Sequence, residues 1–323
     1  MREGELSDGL VVAVKKLQAM RNNNTETEFV DELTLGAKLK HENVVKYLGY
    51  CMDVTTRSVE YNGQNILAEC HTYLLVLEYL PNGSLQDIIN EERRVEWPFC
   101  YRVIQEIAQG VHYLHEQRVI HSDLKPDNIR FDTRMNPVIT DFGISTILPP
   151  DDDEIILDRR NGTIGYMAPE MFIDYRLSKK ADVFAFGICL LKTIMSTSTS
   201  KKCWHDREEW DEMLKEAGGL KGLLHPTVQV DESQLIEMNR CLEVGWLCSD
   251  YKPEKRPTMA KAIEMLTQKK RRNKGRVWFD RFTRVFYLLV EEFHLGLLSV
   301  LADALELQTC SRADGGNTAV EPC

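Results

Sequence analysis

Hydrophobic residues in the front part of the chain follow patterns that are typical of β-strands. The segment "LVVAVKKL" (10–17) is rich in β-branched residues and predicts a strand. It follows the turn sequence "SDG" (7–9), so residues 2–6 are predicted to form the partner strand of a hairpin. "VVKYLGYCM" (44–52) and "TYLLVLEYL" (72–80) have the same aliphatic and aromatic character. These patterns together predict a sheet.

A helical pattern interrupts the strands once and then dominates the chain. Apolar residues recur at helical spacing in "ETEFVDELTLGAKLK" (26–40). After "PNG" (81–83) the pattern is helical again, as in "YRVIQEIAQGVHYLHEQ" (101–117). A strand-rich front and a helix-rich back predict an α+β fold with two lobes joined near residues 78–82.

Two segments fit neither pattern. "PPDDDEIILDRRNGT" (149–163) is acidic, then basic, and is predicted to be a long exposed loop. Residues 269–276, "KKRRNKGR", carry six basic residues in eight and precede an aromatic segment. The basic run is interpreted as a solvated helix end, with a nuclear-import patch or an anionic-lipid contact as alternatives. The aromatic segment would lie on a membrane surface or pack on the back lobe.

Composition narrows the class of protein. The chain has 323 residues, of which 43% are hydrophobic and 28% charged, as expected of a globular protein. Its formal net charge of -10 argues against nucleic acid as a partner of the whole chain. Nine cysteines without a C-x-x-C pair favour a reducing compartment. The charged N-terminal sequence is unlike a secretory signal, and no uncharged run is long enough to span a bilayer.

The stretch "VIHSDLKPDNIRF" (119–131) concentrates residues suited to phosphoryl transfer. Asp123 can accept the proton of an attacking hydroxyl group. Lys125 can neutralise charge on the transferring group, and the Asn128 carbonyl can bind magnesium. These three side chains are therefore candidates for one active site.

Other parts of the chain supply the groups that this chemistry still requires. Asp141, in "ITDFG", is a second carboxylate for the metal and lies eighteen residues after Asp123. Lys15, at the end of the predicted strand "VAVK", can hold the remaining phosphates. Glu32 on the following predicted helix can fix the position of that lysine.

The chain resembles eukaryotic protein kinases and, more narrowly, plant receptor-like serine/threonine kinases. The resemblance covers residues 2–266, where the motifs occur in the order found in that family. These motifs are "VAVK", the helix glutamate, "HENVVKYLGYC", "LLVLEYLPNGSL", "HSDLKPDN", "DFG", "GTIGYMAPE", "ADVFAFG" and "KPEKRPTM". A fold with a β-sheet N-terminal lobe and a mainly helical C-terminal lobe is implied.

The resemblance implies a role for each motif residue in a reaction that uses ATP and Mg²⁺. Lys15 would bind the α- and β-phosphates and pair with Glu32, and Asp123 would be the catalytic base. Lys125 would contact the γ-phosphate, and its place two residues after Asp123 resembles serine/threonine kinases. The implied metal ligands are Asn128 and Asp141.

Further roles follow from the same resemblance. Backbone groups of Glu78 and Leu80 would bind adenine, Ala13 would contact one ring face, and Leu77 would be the gatekeeper. Thr163 would help to position the substrate hydroxyl. The implied structural residues are Glu170, paired with Arg256, and Asp182, which would anchor the catalytic loop.

The implied partners are protein substrates that carry Ser or Thr, with upstream receptor kinases as candidate activators. Nucleic acid is not expected, and peripheral membrane contact through the C-terminal segment is a lesser alternative. The simplest location is the cytoplasm. The predicted organisation is an N-lobe over 1–79, a C-lobe over 80–268 and a basic, aromatic extension over 269–323.

The sequence departs from the family in its regulatory and nucleotide-binding parts. Ser122 replaces the arginine that usually precedes the catalytic aspartate and receives an activation-loop phosphate. The loop offers few hydroxyls, namely Ser145, Thr146 and Thr163. We therefore expect that the chain is not switched by the usual loop phosphorylation. The glycine-rich loop that the family places before the strand at residues 2–6 is not in this sequence, so the N-lobe is expected to be incomplete.

Two interior departures bear on activity. Gly36 stands where the family has a bulky apolar residue against Phe142, and a glycine there costs the helix about 1 kcal/mol. Arg130 stands where an apolar residue usually lies below adenine, so it would either stack on the ring or disturb the pocket. Two functions stay open: an active kinase, or a pseudokinase that acts as a binding scaffold.

Overall fold

The front elements form one antiparallel sheet. In this computed structural model the described residues are 2–17, 25–61, 63–90, 96–195, 212, 215–216, 218–223 and 230–268. The strands are β1 (Arg2–Glu5), β2 (Val11–Leu17), β3 (Tyr47–Tyr61) and β4 (Gln64–Glu78), in the spatial order β1-β2-β4-β3. β1 pairs with β2 as the predicted hairpin.

One helix, α1 (Thr25–Lys38), covers the sheet and forms the front lobe with it. Phe29 of α1 packs against Tyr73 and Leu75 of β4 in a small buried cluster. Because Lys15 and Leu75 are directly opposed across β2 and β4, their side chains lie on the same face of the sheet. That face carries Lys15 towards the helix.

The hairpin of β3 and β4 is longer than the sequence analysis predicted. Each strand has fifteen residues, and the pairing runs without interruption from Gly49↔Val76 to Tyr61↔Gln64. The predicted strands covered only 44–52 and 72–80. The dipeptide Asn-Gly at 62–63 is a strong hairpin signal that was overlooked, and Gly63 has the positive φ of 73° that such a turn requires.

The back lobe is built from helices with short two-stranded sheets between them. Its helices are α2 (Leu85–Asn90), α3 (Trp97–Glu116), α4 (Pro169–Ile173), α5 (Lys179–Met195), α6 (Leu220–Leu223), α7 (Glu232–Cys248) and α8 (Met259–Thr267). Its strands are β5 (Val119–Ile120), β6 (Ile129–Phe131), β7 (Pro137–Ile139), β8 (Thr146–Ile147), β9 (Glu154–Ile156) and β10 (Arg176–Ser178).

The pairing of these strands corrects one prediction. Residues 149–163 are mostly exposed, as expected of a loop, but β9 lies within them and pairs with β10. The run "EII" was too short to predict a strand by itself, and its partner lies twenty residues further along the chain. The pairs β5–β8 and β6–β7 flank the stretch that carries the candidate catalytic residues.

The fold class predicted from the sequence is confirmed: a front antiparallel sheet with one helix is followed by a mainly helical lobe. The lobe boundaries at residues 79 and 268 stay predictions. The predictions for 269–323, including the basic run and the aromatic segment, fall outside the described residues. Within the described residues, none of the helices is long and apolar enough to cross a membrane.

Candidate active site

The loop that carries Asp123 is attached to helix α5 through a buried carboxylate. Asp182 accepts hydrogen bonds from the backbone N–H groups of His121 (2.8 Å) and Ser122 (3.0 Å). His115 of α3 lies 3.1 Å from the same carboxylate. Burial raises the pKa of Asp182, but His115 and these hydrogen bonds outweigh it, so its pKa lies below the ordinary value. The carboxylate therefore stays charged and holds the loop.

A cation and a hydroxyl group meet the carboxylate of Asp123. Lys125 Nζ lies 2.8 Å from Asp123 Oδ2 and donates to Thr163 Oγ1 at 2.7 Å. The Thr163 hydroxyl donates to Asp123 Oδ1 at 2.6 Å. Asn128 donates its side-chain N–H to both the backbone and the carboxylate of Asp123, at 2.9 and 3.1 Å. The structure thus brings together Asp123, Lys125, Asn128 and Thr163.

The second cluster joins the sheet, α1 and the segment after β7. Lys15 Nζ lies 2.8 and 2.9 Å from the two carboxylate oxygens of Glu32, and 2.7 Å from Asp141 Oδ1. Burial lowers the pKa of Lys15, but the two carboxylates outweigh it and raise the pKa above its ordinary value. Lys15 is therefore a cation at physiological pH.

Asp141 has a backbone conformation that few non-glycine residues adopt. Its φ is 70°, and its side chain is 41% exposed although most of its surroundings are buried. Burial raises the pKa of Asp141, but the charge of Lys15 outweighs it and holds the pKa below the ordinary value. Strain of this kind is typical of functional positions, and the ionised carboxylate of Asp141 contacts Lys15.

The donor chemistry at this point suits a hard divalent cation. The amide nitrogen of Asn128 donates hydrogen bonds to Asp123, so the side-chain oxygen of Asn128 is the atom that can bind a metal. Asp141 supplies a carboxylate. No group of three His, Cys, Asp or Glu side chains that could hold a metal occurs in the part of the chain that the structure describes. Magnesium is usually held by one or two protein ligands together with water and substrate phosphates.

A cleft of about 360 Å³ lies where the sequence predicted the adenine site. The cleft is lined by Ala13, Leu77, Glu78 and Leu80. The Glu78 carboxylate accepts a hydrogen bond from the backbone N–H of Lys46. The residues in the lining that were not predicted for this role are Val45, Tyr79, Thr140, Arg2 and Glu3. Predicting them required the pairing of the strands and loops around the cleft.

Arg130 lies in the wall of the same cleft. Its neighbour across the β6–β7 pair is Val138, and the Arg130 side chain is half-buried. On another wall, the Tyr79 hydroxyl donates to Glu3 at 2.9 Å. The cleft that the sequence analysis assigns to adenine therefore contains charged groups, whereas an adenine pocket is usually apolar.

The predicted structural pair Glu170 and Arg256 is also formed. Arg256 donates to the two oxygens of Glu170 at 2.6 and 2.8 Å, and its side chain is fully buried. The remaining guanidinium N–H groups bind backbone oxygens of Asp250, Tyr251 and Lys180. This geometry satisfies the buried charge completely.

Ser122 fills the position that lacks the usual arginine. Its φ is 69°, its side chain is buried, and its hydroxyl oxygen has no hydrogen-bond partner among the described residues. The Ser145 hydroxyl donates to the backbone oxygen of His121 at 2.9 Å. His121 itself is a packed loop residue, as predicted, with its ring against Phe142 and Nε2 at 3.0 Å from the Thr140 oxygen.

Sequence reasoning missed one residue of the Lys15 cluster. The Tyr47 hydroxyl, from β3, donates to Glu32 Oε1 at 3.0 Å. Nothing in the sequence alone indicated that Tyr47 would reach the helix, because that contact depends on how β3 and α1 pack.

Comparison with known proteins agrees with this architecture. Residues 3–266 match the protein kinase domain, and the chain belongs to the protein kinase family. The family uses ATP and a divalent metal in general, and its substrates are proteins.

The similar proteins include receptor-like kinases of Arabidopsis thaliana. A G-type lectin S-receptor-like serine/threonine-protein kinase is 35% identical over 277 residues, which cover 82% of this chain and 32% of that protein. Cysteine-rich receptor-like protein kinase 10 is 35% identical over 82% of this chain and 38% of its own length. For cysteine-rich receptor-like protein kinase 44 the identity is 33%, over 82% of this chain and 68% of the relative. The chain thus spans about a third of the length of the first two relatives.

Proposed function

We propose that this chain transfers the γ-phosphoryl group of ATP to serine or threonine hydroxyls of proteins. The observation that carries the proposal is the contact of Asp123 with a cation and a hydroxyl group at once. A base for the substrate hydroxyl and a charge partner for the phosphoryl group are thereby within hydrogen-bond reach of each other. Membership of the kinase family supports the same reaction.

Each side chain of the two clusters then has a task. Asp123 accepts the proton of the attacking hydroxyl, and Lys125 neutralises charge on the transferring group. Lys15 holds the α- and β-phosphates, and Glu32 holds Lys15 in place. Asn128 and Asp141 would hold Mg²⁺, which supplies further charge neutralisation when it is bound.

The remaining assignments concern orientation and recognition. Thr163 positions the substrate hydroxyl beside Asp123. The Thr163 hydroxyl itself already donates a hydrogen bond to Asp123. The backbone of Glu78 and Leu80 binds adenine, and Ala13 packs on one face of the ring. Asp182 positions the catalytic loop through backbone N–H groups and does not contact the reactants.

For partners, we propose protein substrates with Ser or Thr and regulation by upstream receptor kinases. Magnesium is preferred because the available ligands are an amide oxygen and a carboxylate. The cytoplasmic location and the membrane contact of residues 269–323 stay predictions.

The test is phosphate transfer from labelled ATP to a generic protein substrate. We expect the Asp123→Ala chain to be slower by at least about 100-fold, the usual contribution of a general base. Circular dichroism and the unfolding midpoint should confirm that the variant is folded. Equal rates in wild type and variant would remove the enzyme proposal, and MgATP binding without transfer would then favour the scaffold.

A further inference from the structure

The ring of Tyr47 occupies the space beside Gly36. A β-carbon at Gly36 would lie 2.3 Å from Tyr47 Cε2, 2.4 Å from Cδ2 and 2.5 Å from Cζ. Carbon atoms do not approach each other so closely, so any side chain at position 36 is incompatible with the present position of the ring. The glycine is therefore matched to the tyrosine.

Tyr47 lies where two hydrophobic clusters meet. It packs against the cluster of Phe29, Tyr73 and Leu75 and also against the main core, which includes Leu35 and Phe142. Phe142 is only 1% exposed. Phe142 is therefore buried although position 36 is a glycine, and the space beside that glycine is occupied by Tyr47 of β3.

The hydroxyl of Tyr47 is directed at the carboxylate that holds Lys15. It donates to Glu32 Oε1, the same oxygen that lies 2.8 Å from Lys15 Nζ. The Glu32 side chain is 1% exposed. Burial, together with the charge of Glu32, raises the pKa of Tyr47, so the hydroxyl stays a neutral donor at physiological pH.

A buried carboxylate needs every hydrogen bond that its surroundings can offer. Glu32 Oε2 is used by Lys15, and Oε1 is shared between Lys15 and Tyr47. Two donors from different strands restrict the rotamer of the glutamate, which in turn restricts the ammonium group of Lys15. Without the hydroxyl, Lys15 is the one remaining hydrogen-bond donor to this carboxylate among the described residues.

We propose that Tyr47 is a positioning residue with two functions: its ring replaces the side chain that is absent at Gly36, and its hydroxyl orients Glu32 for Lys15. The second function rests on the proposed phosphotransfer, in which Lys15 holds ATP phosphates. The first is a property of the fold and does not require that reaction.

If the Tyr47 ring replaces the side chain that is absent at position 36, a larger residue at 36 should compensate for a smaller residue at 47. We expect Gly36→Leu and Tyr47→Leu each to lower the unfolding midpoint of the full chain by about 4 °C or more, the first by a clash and the second by a cavity. The double variant should recover more than half of the summed loss, because leucine at 36 then fills the space. Additive losses would overturn this function.

The hydroxyl function is tested with Tyr47→Phe, which keeps the ring. We expect the affinity for MgATP, measured by calorimetry, to fall by roughly tenfold, in line with the loss of a hydrogen bond to a charged group. The KM for ATP should rise, whereas kcat at saturating ATP should change less. The matched control is Tyr50→Phe, because Tyr50 lies on the same strand and is 59% exposed. Its affinity should stay within about twofold of wild type.

The outcomes separate this inference from the proposed function. Wild-type affinity in Tyr47→Phe would overturn the hydroxyl function even if the chain is an active kinase. Tight MgATP binding without phosphate transfer would overturn the proposed function, while the affinity comparison would still decide the role of Tyr47. A wild-type chain that binds no MgATP would overturn the hydroxyl function and the proposed function together. The unfolding midpoints of the Gly36 and Tyr47 variants would still decide the ring function.

Discussion

Arg256 and Glu170 carry opposite charges in a part of the back lobe that excludes water. Both are buried, and their bidentate contact has N–O distances of 2.6 and 2.8 Å. Removing one partner leaves the other charge buried and unpaired, so we expect Glu170→Gln to lower the free energy of unfolding by about 3–5 kcal/mol. Chemical denaturation would measure it.

The matched control is the ion pair between Arg176 and Glu154. It has a contact of 2.6 Å, but both side chains are about half exposed. Water screens such a pair, so Arg176→Gln should leave the denaturation midpoint unchanged within error. Equal effects of the two substitutions would show that burial does not distinguish them.

Asp182 makes the stability of the molecule depend on pH. Its folded-state pKa lies below the ordinary value of 3.8. Its contribution to stability is therefore present above about pH 3.8 and is lost as the pH falls through the folded-state pKa. We expect Asp182→Asn to lower the free energy of unfolding by about 2–3 kcal/mol at pH 7, with the difference from wild type shrinking below pH 4.

Urea denaturation from pH 7 to pH 3 would measure that difference. Asp153→Asn is a suitable control, because Asp153 is exposed. A difference between wild type and Asp182→Asn that is constant over this range would contradict the assignment of a charged carboxylate to position 182.

At the scale of single residues, the sequence was informative where function restricts the residue type. Asp123, Lys125 and Asn128 were predicted as a group because they lie within one short motif, and the structure does bring them together. Tyr47 was missed because its importance depends on Gly36, which lies on a different element. An exchange of side-chain size between residues on two different elements cannot be recognised in the sequence of either element alone.

At the scale of secondary structure, the long hairpin is the element furthest from its prediction. Val54 and Leu67, in its outer half, are 54% and 79% exposed, so the face that carries them buries little apolar surface. The helices α1 and α3 were predicted well because their apolar residues repeat at helical spacing. The described side chains of the outer hairpin are mostly exposed, and a hydrophobic pattern gives little signal for a strand that shows few buried apolar residues.

The outer half of the hairpin should therefore be dispensable for the nucleotide site. We expect deletion of residues 54–61 and 64–71, which joins Asp53 to Thr72 through Asn-Gly, to leave MgATP affinity within about twofold of wild type. Asp53 and Thr72 are paired in the present register. Because pair types alternate along an antiparallel ladder, this pair has the same type as the pair that now closes the turn.

A control for this deletion moves the junction by one residue. Joining Val54 to His71 through the same dipeptide closes the turn on a pair of the other type, which a two-residue loop does not suit. The first deletion should keep the wild-type unfolding midpoint, and the second should lower it. A large loss of MgATP affinity in the first would indicate that the outer hairpin supports the cleft.

At the scale of the whole molecule, the question is what sets the arrangement of the activation segment, which runs from Asp141 of "DFG" to Glu170 of "APE". Ser122 offers no cation for a loop phosphate. The Arg118 guanidinium donates hydrogen bonds to the backbone oxygens of Leu148 and Asp152, at 3.3 and 2.6 Å. The Ser145 hydroxyl is held by His121, and Thr146 lies in β8 opposite Ile120. The hydroxyls that would receive a phosphate are thus part of the fold.

We therefore expect phosphotransfer by a Ser145→Ala, Thr146→Ala double variant to stay within about threefold of wild type, a change of well under 1.4 kcal/mol in the barrier. Its free energy of unfolding should fall by about 1 kcal/mol, because the hydrogen bond to His121 is lost. Phosphatase treatment of the wild-type chain should likewise leave the rate unchanged, with Asp123→Ala as the inactive reference. A loss of more than about tenfold in the double variant, together with a matching loss after phosphatase treatment, would show that a loop phosphate does control the site. A loss in the variant alone would instead assign the effect to the contact between Ser145 and His121, since phosphatase treatment leaves that hydrogen bond intact.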